Sequence, residues 1–228
     1  MIKIFYDGAD LKTYGNSDPA VEGFTTNTSY MKEAGVTDYT KFAKECLSVA
    51  NGRPISFQAW GDTMESLEKQ ARRICSWGPN VYVKIPIVTV YGLSTVSLIK
   101  KLHKEGLKVN VTVVHSVEHL ALLQGDVFGS NAEAIVSVFA GGISDSGVSP
   151  EFLIRMAVEQ FKNYPNIEVL WAGCQRVLSV KEAEWWGCDI VTVPCSVLKK
   201  INRIGKELDE VALPKSQLFS NDAENLRF

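Results

Sequence analysis

The chain has no surplus of either charge: 24 Lys and Arg stand against 26 Asp and Glu in 228 residues, a formal charge of −2. It therefore lacks the basic surface that neutralises nucleic-acid phosphates or holds an anionic lipid headgroup, and neither partner is expected. It has no apolar stretch near the roughly 20 residues that span a bilayer. Its opening, MIKIFYDGADL, carries Lys3 and Asp7 and so lacks the pattern of a signal or transit peptide. The five cysteines (Cys46, Cys75, Cys174, Cys188, Cys195) form no C-x-x-C pair, and their odd number fits reduced thiols in a cytoplasmic protein better than a disulfide framework. Histidine is scarce. His103 and His119 fall on helical faces without metal-ligand spacing to Cys, Asp or Glu, so no metal is expected. FYDGADL also lacks the G-x-G-x-x-G of a dinucleotide-binding turn.

What the chain does contain is a regular alternation of short apolar runs with longer amphipathic ones. Eight strands are predicted, at 2–6, 23–26, 55–59, 81–85, 108–114, 134–139, 167–172 and 189–193. Helices are predicted over 38–50, over a segment capped by Asp62 and holding Met64, Leu67, Ala71 and Ile74, over 94–105 with Gly106 as its stop, and over 150–163, 179–186 and 195–208. Eight strand–helix units in one chain predict a single (β/α)₈ barrel over residues 1–228, with 209–228 as a tail that packs on a neighbouring subunit.

Chemistry in such a barrel gathers where the strands end, and those ends are polar here: Asp7, Thr26 with Asn27, Gln58, Lys84, the same-face pair Asn110 and Thr112, and the pair Ser137 and Phe139. For any one of them, a helix cap or a solvated rim is the competing reading. Lys84 is different. Inside NVYVKIPIVTV its neighbours offer no wet face, so the ammonium either pairs with a carboxylate such as Asp7 or loses its proton. A neutral lysine amine attacks carbonyl carbon and forms a Schiff base.

Four motifs, in order, tie these ends together: IFYD, GFTTNTS, VKIP at residues 83–86, and EGLKVNVTVVHS at 105–116. Over nearly its whole length the sequence resembles the small transaldolase and fructose-6-phosphate aldolase family. The resemblance implies Lys84 as the Schiff-base lysine, Asp7 as the acid/base serving the C4 hydroxyl, and Thr112 with Gln58 as holders of the water used in dehydration. It implies Asn27, Asn110, Ser137 and the neighbouring Thr26 and Phe139 as contacts to a dihydroxyacetone fragment. No cofactor is implied. Short relatives form rings of five that stack into decamers, so a homo-oligomer is implied too.

The departures are as specific as the matches. Gln58 is the aldolase choice on strand three, and Phe139 the transaldolase choice on strand six. Where the family carries basic residues for a substrate phosphate, this chain has Gly142 and Gln175, with Arg176 one position further on. The expected activity is transfer of a dihydroxyacetone unit between sugars or sugar phosphates, with altered phosphate recognition. The alternatives are an aldolase that releases or adds free dihydroxyacetone, and a barrel that binds a sugar without turning it over. His115 stands where the family has phenylalanine and is read as rim packing. Trp77, Trp185 and Trp186 are read as core or subunit packing, and Cys174 as an unreactive rim thiol.

Overall fold

A computed structural model describes residues 2–14, 19–224 and 226. The elements run β1 Lys3–Asp7, α1 Leu11–Tyr14, β2 Val21–Thr25, α2 Thr28–Glu33, α3 Tyr39–Ala50, β3 Ile55–Gln58, α4 Met64–Cys75, β4 Val81–Pro86, α5 Val96–Lys104, β5 Val109–Val114 and α6 Val117–Ala121. They continue with β6 Ala134–Val138, α7 Ala140–Asp145, α8 Glu151–Phe161, β7 Ile167–Trp171, α9 Val177–Trp185, β8 Ile190–Pro194, α10 Cys195–Leu198, a 3₁₀ turn at Ile201–Arg203, and α11 Leu208–Asp222. The strands pair in parallel in chain order and β8 returns to β1, closing the predicted (β/α)₈ barrel.

Closure sorts side chains by the strands' period of two. One set faces the helices: Phe24, Phe57, Val83, Ile85, Val111, Val136 and Val191 pack against Leu67, Ile99, Leu102, Ile154 and Ala183. The other set, Phe5, Tyr82, Ile135, Leu170, Ala172 and Ile190, forms a separate cluster that fills the lumen, with Phe139 packed on it. Continuing the lumen parity toward the C-terminal rim brings in Asp7, Thr25, Gln58, Lys84, Asn110, Thr112 and Ser137. The apolar plug beneath them is what makes the upper lumen dry.

The helices start where local chemistry caps them. Asp38 accepts the Lys41 N–H at 2.9 Å to open α3. Asp62, expected to cap the next helix, does not; Thr63 accepts from the Ser66 N–H at 3.1 Å and the Ser66 hydroxyl oxygen accepts from the Thr63 N–H at 3.2 Å, a reciprocal box one residue later. α5 stops at Gly106 as predicted, whose φ of +87° the helix cannot continue through.

Two expectations at the C-terminal end are corrected. The helix expected over 195–208 breaks after α10 into the 3₁₀ turn, and Gly205, with a φ of +82°, then separates that turn from α11. The tail, aperiodic in sequence, forms α11, fully exposed along its length and carrying Pro214 in its interior. Its poor periodicity is physical: α11 has no buried face in the single chain, so nothing there selects one.

Two features shape the rim. Between Val111 and Val114 the β5–β6 register shifts, and Val113 adopts a φ of +69°, a left-handed conformation that a β-branched residue rarely tolerates. At α7 the backbone of Gly141 lies so close to the loop after β7 that a Cβ there would sit 1.9 Å from the Gly173 carbonyl oxygen. Only glycine permits that approach.

Candidate active site

Lys84 sits in register with Gln58 on β3 and Asn110 on β5, and only 6% of it is exposed. Its Nζ donates to the Thr26 carbonyl at 3.3 Å, and among the described residues no carboxylate is ion-paired with it. Burial pulls its pKa down, and the Asp7 charge opposes this only in part. Of the two fates open to this lysine in the sequence, a direct ion pair is not formed among the described residues, and burial disfavours the charged form.

Asp7 shifts the opposite way. As a residue it keeps some accessible surface, yet the protein packed around its carboxyl pushes the pKa up, against the pull of the Lys84 charge and of hydrogen bonds from Thr25 and Tyr30. Both partners are thus driven toward their neutral forms, as two groups sharing one dry lumen should be. The Thr25 hydroxyl lies 2.7 Å from Asp7 Oδ1 and 2.5 Å from the Thr192 Oγ1. Because Thr25 has one proton and gives it to the carboxylate, Thr192 must donate to Thr25. The result is a relay from β8 through β2 to β1.

A second chain of bonds crosses the lumen. Ser137 donates to Asn110 Oδ1 at 2.7 Å, and Asn110 Nδ2 donates to Ser56 Oγ at 3.0 Å. All three residues are buried. The Thr112 hydroxyl, also buried, has no partner among the described residues. An orphaned buried hydroxyl costs about 1–3 kcal/mol, so it marks a place for water or for a substrate oxygen. Gln58 donates Nε2 to the Ala59 carbonyl at 3.0 Å, and its own carbonyl accepts the Tyr39 hydroxyl at 3.0 Å.

The other predicted residues divide. Asn27 spends Oδ1 on the Tyr30 N–H at 3.0 Å, capping α2, so only its Nδ2 is left to face a ligand. Thr26 follows Phe24 in the alternation and turns its orphaned hydroxyl away from the lumen; what it offers Lys84 is its carbonyl. Phe139 caps the lumen cluster, with the His115 ring centroid 5.0 Å away.

Gln175 and Arg176 each have a partner within the protein. Gln175 donates to Asp145 Oδ2 at 2.7 Å, and the Arg176 guanidinium is held by both oxygens of Glu182 at 2.8 and 3.1 Å. Arg176 opens α9, and Glu182, six residues on, lies within its reach. Cys174 is buried, its thiol pushed up to about 12 by desolvation, which suits an inert packing residue. His103 is wholly buried against Phe128, with Nε2 at 2.9 Å from the Ala132 carbonyl. Trp77 packs edge-on against Phe57 and Tyr39, and Trp186 stacks on Trp171, whereas Trp185 is exposed. Among the described residues no three His, Cys, Asp or Glu side chains cluster to hold a metal, and no helix is long and apolar enough to cross a membrane.

Four residues of the site were not singled out in the sequence. Thr25 and Ser56 were within reach, since each lies two residues from a chosen position on the same strand face. Thr192 stands in a strand without a motif, and Tyr30 reaches the site from a helix, where strand alternation says nothing.

The family model described as transaldolase/fructose-6-phosphate aldolase matches residues 4–227. The probable transaldolase of Dehalococcoides mccartyi is 32% identical over 203 residues, covering 88% of this chain and 90% of that protein. Those of Methanococcus maripaludis and Caldicellulosiruptor saccharolyticus are each 34% identical, over 203 and 206 residues, covering 88% and 89% of this chain and 89% and 90% of theirs. A dihydrodipicolinate synthase structure from Rhodopseudomonas palustris superposes with a TM-score of 0.46 at 11% identity, covering 85% of this chain and 70% of that one. With the family model spanning nearly the whole chain and these relatives aligned end to end, the protein belongs to the transaldolase/fructose-6-phosphate aldolase family.

Proposed function

We propose that the protein transfers a dihydroxyacetone unit between sugars through a Schiff base on Lys84. The observation that carries this is a buried lysine amine, unpaired and shifted toward neutrality, sharing the barrel mouth with a carboxyl shifted upward. The neutral amine adds to the C2 carbonyl of a ketose, and a proton passes from nitrogen to oxygen to give a carbinolamine. Loss of water, held by Thr112 and Gln58, leaves the iminium. Asp7 as carboxylate takes the C4 hydroxyl proton, the C3–C4 bond breaks, and its electron pair neutralises the iminium as an enamine. The aldehyde departs. An incoming aldose is attacked by the enamine carbon, Asp7 returns its proton to the new alkoxide, and hydrolysis frees the product and Lys84. Asn110, Ser137 and the Nδ2 of Asn27 are placed in the role of holding the fragment's hydroxyls.

Transaldolase is preferred because Phe139 brings no hydroxyl to the site, and because the relatives are named as probable transaldolases. Release or addition of free dihydroxyacetone is the second reading, favoured by Gln58. A phosphate dianion gains about 1.5–3 kcal/mol from each charged hydrogen bond. With Gly142 and Gln175 in place of cations and Arg176 tied to Glu182, unphosphorylated sugars are the proposed substrates. The exposed apolar side chains of α11, among them Leu208, Leu213 and Phe219, support assembly into a homo-oligomer.

Borohydride added with candidate ketoses should fix a mass adduct on the Lys84 peptide, and Lys84→Met should abolish it. A free three-carbon product formed without an aldose points to the aldolase; its appearance only as transferred carbon points to the transaldolase. No adduct with any ketose would sink the reading.

A further inference from the structure

We propose that His115 determines specificity at the barrel mouth, its Nε2 accepting a hydrogen bond from a hydroxyl of the distal part of an uncharged aldose; this rests on the transfer reading above. Val113 is strained. Its left-handed backbone, within the register shift of β5, turns its carbonyl to meet His115 Nδ1 at 2.9 Å. A carbonyl only accepts, so Nδ1 carries the ring's proton. In the neutral ring Nε2 is then a bare acceptor.

The same turn is held from the other side. The His115 N–H donates to His119 Nδ1 at 3.2 Å, and the His115 ring lies against Phe139, which caps the lumen cluster. Imidazole, tautomer and direction are therefore fixed by backbone and aromatic contacts, while the residue as a whole stays exposed at the rim.

Gly142 supplies an independent observation. Unlike Gly141, it is not crowded by backbone, and its φ lies outside the range that favours glycine. What a Cβ would meet is His115 itself, Nε2 at 3.0 Å and Cδ2 at 3.5 Å. Glycine inside a helix costs stability relative to alanine. The return is room for the imidazole. Residues 115 and 142 thus form one unit: a planar acceptor stands over the position where a long basic side chain would otherwise emerge. A phosphate dianion offers oxygens that only accept, so a neutral Nε2 does not bind it; a sugar hydroxyl donates to it.

The test combines a spectroscopic and a kinetic readout. In the intact protein, long-range ¹H–¹⁵N spectra of the histidine rings should show His115 protonated on Nδ1 and bare on Nε2, with the Nε2 resonance moving when xylitol, an unreactive polyol, is added. In transfer assays, His115→Phe, which keeps the contact with Phe139, should raise KM for erythrose roughly 3- to 10-fold, the loss of one neutral hydrogen bond. KM for glycolaldehyde, too short to reach the rim, should move less than twofold, and His115→Gln should recover part of the erythrose affinity. A proton on Nε2, a resonance indifferent to saturating xylitol, or equal KM increases for both aldehydes overturns the proposal. Failure to trap an imine on Lys84 strikes the transfer reading instead, and the xylitol titration still decides the role of His115.

Discussion

Thr25→Val isolates the relay that supports Asp7. The substitution keeps shape and removes one hydroxyl that is buried, 2.7 Å from the carboxylate and 2.5 Å from Thr192. A hydrogen bond to a charged group contributes about 1.5–3 kcal/mol, and about 1.36 kcal/mol corresponds to one pKa unit. Losing it should raise the already elevated Asp7 pKa by about 1 to 2 units. Asp7 must be ionised to take the C4 proton, so the acidic limb of kcat/KM for ketose cleavage should move to higher pH by that amount, with activity recovering above it. Thr192→Val leaves the bond to Asp7 in place and removes only the polarisation of its donor, about 10–30% of a bond; its shift should be a few tenths of a unit. Stability gives a second sign. A carboxyl whose folded pKa lies above its unfolded value favours the fold below the unfolded pKa, near 3.9, and loses that contribution as pH rises through the folded pKa. Thr25→Val should therefore lose more stability at pH 8 than at pH 5. An acidic limb superimposable on the wild type, or equal shifts in the two variants, refutes the relay.

Gly141→Ala forces a Cβ to within 1.9 Å of the Gly173 carbonyl oxygen, a clash between two backbones that cannot be relieved by a rotamer. A loss of at least about 3 kcal/mol is expected, which thermal unfolding would read as a drop of roughly 6–12 °C. Asn110→Ala severs both bonds of the lumen chain and should cost about 2 kcal/mol by urea denaturation, against about 1 for Ser56→Ala or Ser137→Ala; equal costs would mean the three residues are not linked in series. His103 has its pKa lowered by burial, so the fold prefers its neutral form and stability should fall as pH drops below the unfolded value near 6.5. His103→Gln should flatten that slope in urea midpoints measured across pH. Replacing Leu218 and Phe219 on α11 by Asp should convert the proposed homo-oligomer to monomers in light scattering with the circular dichroism of the barrel retained.

The strands were legible because parallel barrel strands are buried on both faces, and runs such as VYVKI and AIVSV have no other stable use. The buried Lys84 was legible for the same reason: a charge inside such a run violates the pattern. The polar strand ends then singled out Asp7 and Gln58, and alternation put Asn110 with Thr112 and Ser137 with Phe139 on one face. The same rule puts Thr25, not Thr26, on the lumen face, while the conspicuous Thr-Thr-Asn of the motif drew attention to Thr26. Two helical details were out of reach for different reasons. The cap of α4 moved from Asp62 to Thr63 because both are good caps, and only the reciprocal bond with Ser66 decides between them. α11 has no apolar periodicity because periodicity records a buried face, and a single chain gives it none.

Charge partners at the rim are a harder problem, since a long side chain chooses among several within reach. Arg176 lies one position from where a cation was sought, and the sequence cannot tell whether it points at a substrate or at Glu182; that choice is set by the turn of α9. The exchange of a basic residue for Gly142 likewise reads as a loss in one dimension. In the fold it is half of a substitution whose other half is 27 residues earlier, where His115 fills the space. Two departures that seem independent along the chain are one physical change, because the register shift at Val113 and the close approach of α7 bring them to the same few ångströms. The two positions are therefore expected to be coupled: Gly142→Ala should perturb the His115 ring resonances in the wild-type background and cost far less in a His115→Ala background, where the His115 ring that the Cβ would meet is gone.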